Sequence, residues 1–90
     1  MNPKRKPDHT VRSGRVRASI WEHETQSGSE YRVRLSLRVT KNGTKCWVAD
    51  PCFGTLDLKD VEEVVGAAHD WIGRRFLDRE LREGRSLQIL

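Results

Sequence analysis

Two stretches of the chain alternate apolar and polar residues with a period of two. In residues 15–22, RVRASIWE, Val16, Ala18 and Ile20 fall on one side, and Arg15, Arg17, Ser19 and Trp21 on the other. In residues 31–39, YRVRLSLRV, Tyr31, Val33, Leu35, Leu37 and Val39 alternate with Arg32, Arg34, Ser36 and Arg38. This pattern predicts antiparallel strands with one covered face and one open face. The polar segment 23–29, HETQSGS, is expected to loop between them. Asn42-Gly43 follows the second strand. Both central positions of a type I′ turn need positive φ, which Asn and Gly adopt most readily. With these two as the loop, the register places Leu37 opposite Val48, Arg38 opposite Trp47 and Val39 opposite Cys46. The apolar pairs then face inward, and Arg38 lies beside the Trp47 indole on the outer face, within cation–π range. Asp50-Pro51 ends the third strand, since proline donates nothing to a ladder. Residues 52–55, CFGT, read either as a short fourth strand or as a crossing loop.

Beyond this point the period lengthens. Asp57 has the character of an N-cap, and Asp60, Glu62 and Glu63 fall where a helix dipole favours acids. From Leu58 a helical stripe runs through Val61, Val65, Ala68, Ile72 and Phe76, flanked by Val64 and Trp71. Arg74, Arg75, Arg79 and Arg82 gather toward the C-terminal half, Gly73 is an interior weak point, and Gly84 is a stop signal. The expected fold class is α+β: a curved antiparallel sheet of three to four strands, then one long C-terminal helix packed on one face. Residues 15–84 make this domain. Residues 1–14, with two prolines and the cluster Lys4-Arg5-Lys6, are expected to be a disordered basic arm, and residues 85–90 a tail whose SLQIL either docks or pairs at an edge.

The face that the helix leaves open carries Arg15, Arg17, Trp21, Arg32, Arg34, Arg38, Lys45 and Trp47: six cations and two indoles. The strand positions assigned to it hold no acid; Glu22, Glu24 and Glu30 are placed in the first loop. Single-stranded nucleic acid exposes phosphates, which cations neutralise, and unstacked bases, which aromatic rings stack on. Arginine does both. A helix-turn-helix, a zinc finger or a basic recognition helix, the usual readers of duplex DNA, is not discernible. A solvated arginine face is the plain alternative, but two tryptophans on that face call for a partner.

Composition sharpens this. Ninety residues with 36% hydrophobic content support one small core. A net charge of +4 favours an acidic partner. No apolar run approaches membrane-spanning length, and a soluble, cytoplasmic protein with no membrane partner is expected. Cys46 and Cys52 are expected to stay reduced.

The segment VRASIWEHE…GSEYRVRLSLRVTKNGTKCWVADPCFGTLDLKDVEEVVGAAHDWI, with an aromatic ending strand one and Asp57-Leu58 opening the helix, is similar in layout to the positive-cofactor-four and whirly class of single-stranded DNA-binding transcriptional regulators. The resemblance covers about residues 12–75 at the level of topology. It implies a curved sheet followed by a helix, dimerisation through the helices, and nucleic acid on Arg17, Arg32, Arg34, Arg38, Lys45 and Trp47. This chain departs from the class in lacking a clear fourth strand.

His9, His23, His69, Cys46 and Cys52 lack metal-ligand spacing, and His69 is expected to be half-buried near the helix stripe. Neither a phosphate-cradling glycine loop nor a nucleophile with a base partner is discernible. The expectation is a non-enzymatic homodimer, without cofactor, metal or small-molecule substrate, that binds single-stranded DNA or RNA and regulates transcription. The alternative is a protein-interaction module taking an acidic partner on the same face.

Overall fold

The computed structural model describes residues 5–82, with side chains through residue 78. Four strands, β1 (His9–Ser13), β2 (Val16–Thr25), β3 (Gly28–Lys41) and β4 (Thr44–Ala49), precede a 3-10 turn at Thr55–Asp57 and one helix, α1 (Leu58–Arg82). The strands form a single curved antiparallel sheet in chain order, β1-β2-β3-β4. This is the α+β arrangement that the alternation and the helical stripe imply.

Two-residue turns make the meander. Asn42 and Gly43 have φ of 50° and 78°, as a type I′ turn requires. Leu37 pairs with Val48, Arg38 with Trp47 and Val39 with Cys46, the register read from the turn. The loop expected over residues 23–29 is much tighter: β2 runs to Thr25, β3 starts at Gly28, and Thr25 Oγ1 donates to the Gly28 carbonyl at 2.6 Å. Gly14, at φ 54°, and Arg15 turn β1 into β2.

The fourth strand therefore lies at the N-terminal side. Residues 52–54 are irregular, while His9–Ser13, expected within a disordered arm, pairs along β2 from His9↔Ile20 to Ser13↔Val16. Residues 5–8 continue that edge: Asp8 N–H donates to the Ile20 carbonyl at 2.8 Å, and Glu22 N–H donates to Asp8 Oδ2 at 2.7 Å. The Lys4 end of the basic cluster, Gly84 and SLQIL lie outside the described residues.

The inner face of the sheet and α1 enclose the core. Val16, Ala18, Ile20 and Leu37 meet Val64 and Ala68, with Val11, Tyr31, Leu35, Val39, Phe53, Val61, Trp71 and Ile72 around them. Burying each large aliphatic side chain here contributes about 1.5–3 kcal/mol. The helix lies against β1 and β2. Ser13 Oγ bonds Asp60 Oδ1 at 2.8 Å near its start, and the His9 ring stacks on Trp71 at 4.7 Å further along, so α1 runs antiparallel to β1. This seat rotates the stripe: Val64, expected on the flank, is buried, whereas Val65 and Phe76 stay 47% and 45% exposed. His69, expected half-buried, is exposed for the same reason. Asp57 does not cap α1. Its carboxylate accepts the Gly54 N–H at 3.2 Å and the Arg15 guanidinium at 3.0 Å, closing the turn before the helix.

Candidate nucleic-acid interface

The outer face is built by strand parity. Thr10 and Arg12 come from β1, Arg17, Ser19 and Trp21 from β2, Glu30, Arg32, Arg34, Ser36 and Arg38 from β3, and Lys45, Trp47 and Ala49 from β4. One row across the sheet reads Arg12, Arg17, Ser36, Ala49. Small residues fill its β3 and β4 places, and Ser36 is buried at 3% exposure.

Trp47 is the centre of the face. The guanidinium carbon of Arg17 stands 4.2 Å from its ring centroid, that of Arg12 5.5 Å and that of Arg38 5.9 Å. These contacts fall within the range of cation–π attraction. A ring face accepts no hydrogen bond of ordinary strength, so these contacts leave the guanidinium N–H groups, other than the buried Arg17 Nε, free to meet an anion. Arg12 was not among the candidates read from the sequence. The signal for it is the Gly14-Arg15 turn, which places Val11 across from Ala18 and Arg12 across from Arg17.

A second group forms around Trp21, with the Arg34 guanidinium 5.8 Å from its ring. Trp21 is on the expected face but only 8% exposed, because its indole N–H donates to the Arg5 carbonyl at 3.1 Å beneath residues 5–8. Arg32 is exposed and pairs with Glu30 at 3.2 Å, so the longer β3 brings one acid onto this face. Lys45 is exposed beside the β3–β4 turn. Arg15 departs from the expected set. It stands in the β1–β2 turn and bonds Asp57 of the helix layer, holding that carboxyl below its ordinary range.

Among the described residues, Arg12, Arg17, Arg34 and Arg38 have no carboxylate within ion-pair distance, whereas Arg5, Arg15, Arg32 and Arg75 each have one. Arg17 is the most constrained of the four. Burial, then the nearby Arg12 charge, lowers its pKa, and its Nε is buried without a hydrogen-bond partner. Between the two indoles the face sinks into a groove lined by Thr10, Arg17, Ser19, Arg34 and Ser36.

No family model, curated protein or solved structure matches this chain. The fold and its side chains carry the functional reading.

Proposed function

We propose that the outer face binds single-stranded nucleic acid, DNA or RNA, and that the protein acts as a non-enzymatic binding module in transcription regulation. The observation that carries this reading is the cluster of four arginines without carboxylate partners, Arg12, Arg17, Arg34 and Arg38, set beside Trp21 and Trp47 on the side of the sheet away from α1. A patch of arginines without carboxylate partners attracts a polyanion, and a planar guanidinium both forks onto phosphate and stacks on a base. The resemblance in layout, read from the sequence, to the positive-cofactor-four and whirly class points the same way. A cationic face whose Trp21 is covered also suits an acidic protein segment, the second reading.

The molecule in this reading is a homodimer. Val33, Leu58, Val65 and Phe76 are 44–51% exposed. Leu58, Val65 and Phe76 share one line along α1, and the contact of Phe76 with Tyr31 at 5.3 Å turns that line toward the inner side of β3. Such an apolar strip, continuous with the core, fits a second copy. Among the described residues no helix is long and apolar enough to cross a membrane.

Fluorescence anisotropy with labelled single-stranded and duplex oligonucleotides, titrated against salt, tests the binding. A single strand is expected to bind more tightly than a duplex of equal length. Binding of an acidic peptide but of neither oligonucleotide would favour the second reading.

A further inference from the structure

We propose that Arg12 and Arg17 form a clamp for one phosphate group, giving the outer face a single anion site of fixed position. The proposal deepens the nucleic-acid reading and rests on it for the polymer that carries the phosphate.

The two arginines are direct cross-strand partners on β1 and β2. Like charges in that relation repel and destabilise a sheet. Here both guanidiniums are also drawn to one ring, at 5.5 and 4.2 Å from the Trp47 centroid, which holds them together. No carboxylate on the described residues relieves the repulsion, although the chain supplies one to Arg5, Arg15, Arg32 and Arg75. Burial of Arg17 adds a desolvation cost to this repulsion. Repulsion and desolvation at one point are both relieved by the same event, the arrival of an oxyanion. Phosphate fits because its oxygens accept from two guanidinium forks at once. The Trp47 ring already holds both guanidiniums near one point, so less side-chain freedom is lost on binding. The groove beside Arg17, with the Ser19 and Ser36 side chains in its lining, leaves room for the sugar and base attached to such a phosphate.

The test is the thermal midpoint of the full chain titrated with inorganic phosphate, against sodium chloride at matched ionic strength, with oligonucleotide anisotropy run in parallel. Phosphate is expected to raise the midpoint saturably. Arg12→Met, at an exposed position that leaves the core intact, is expected to weaken the apparent phosphate affinity at least tenfold, and Arg17→Met to abolish the response. In the same Arg12 variant the salt slope for a single strand is expected to fall by about 0.7, the value for one phosphate. A phosphate effect no larger than that of chloride, or one retained in both variants, overturns the clamp. Oligonucleotide binding without a specific phosphate response overturns the clamp and leaves the nucleic-acid reading standing. A specific phosphate response lost in both variants, without oligonucleotide binding, upholds the clamp and removes the polymer as its source.

Discussion

The Arg75 guanidinium meets the Glu22 carboxylate at 3.1 Å, tying the C-terminal half of α1 to the far end of β2. Ser29 Oγ donates to the same carboxylate at 3.0 Å, and the Tyr31 hydroxyl lies beside it. Burial pushes the Glu22 pKa up, but the hydrogen bonds from Arg75 and Ser29 outweigh it and hold the carboxyl below its ordinary 4.5.

This sets the acid limb of stability. A carboxyl held below its unfolded pKa contributes fully above that value and loses its contribution as pH falls through the folded value. The loss through Glu22 therefore begins below pH 4.5. Glu22→Gln is expected to lower the thermal midpoint at neutral pH and to flatten its fall in acid. Parallel acid limbs in variant and parent would show that the pair has no part in it. Tyr31 acts at the other end. Burial, then the Glu22 charge, raises its pKa above 10, so its contribution is lost as pH rises beyond 10.

Gly14 and Gly43 both have positive φ, yet they differ in surroundings. A Cβ on Gly43 meets nothing within 4 Å, while one on Gly14 collides with the Asp60 carboxylate that binds Ser13. Gly43→Ala is expected to lose about 1–2 kcal/mol, the strain of a left-handed L-residue. Gly14→Ala is expected to lose about 2–3 kcal/mol, because the Asp60 carboxylate must also move aside, leaving Ser13 to bond Glu63 alone. Urea denaturation of the two variants decides the order, and equal midpoints contradict it.

The β3–β4 hairpin was legible in the sequence because its determinants are local. Asn42-Gly43 sets the turn, and the alternation on both sides agrees with it. β1 was not, since His9–Ser13 has a single aliphatic residue, Val11, and follows Pro7; its strand form comes from pairing with β2. The helix existed in the pattern but its phase did not. A stripe from Val61 to Phe76 states which residues are apolar, whereas the choice of Val64 over Val65 as the buried one depends on which strands α1 covers. The candidate face was legible by parity in Arg17, Arg34, Arg38 and Trp47. The covering of Trp21 by Arg5, and the ion pair that takes Arg15 to Asp57 at 3.0 Å, are long-range contacts that no local pattern announces.

The apolar strip along α1 gives a test of the dimer. Val65 is 47% exposed and lies outside the enclosed core, so Val65→Lys leaves the fold in place and sets a charge within the strip. The parent is expected to scatter light as a dimer at tens of micromolar and the variant as a monomer. A monomeric parent would sink the proposed interface.

The last prediction separates charge from stacking on the outer face. Arg34 and Arg38 lie on β3, and neither has a carboxylate partner among the described residues. Replacing both by alanine leaves the inner row of Val33, Leu35, Leu37 and Val39 untouched, so the thermal midpoint is expected to change little. Binding to a single strand is expected to weaken, and the slope of log K against log salt to shrink by about 0.7 for each phosphate that is no longer neutralised. Trp47→Ala removes a ring and no charge. It is expected to weaken binding by about 1–3 kcal/mol, the range for one stacked base, and, because the ring also holds Arg12 and Arg17 together, to lower the salt slope by no more than about 0.7, the value for one phosphate. Trp47→Phe keeps a ring for Arg17 and Arg38 to lie on, and is expected to restore most of the affinity. Parent affinity and slope in the double arginine variant would mean that these arginines form an ordinary solvated surface. An unchanged slope in Trp47→Ala would mean instead that the indole serves as a stacking platform and does not hold the arginines in place.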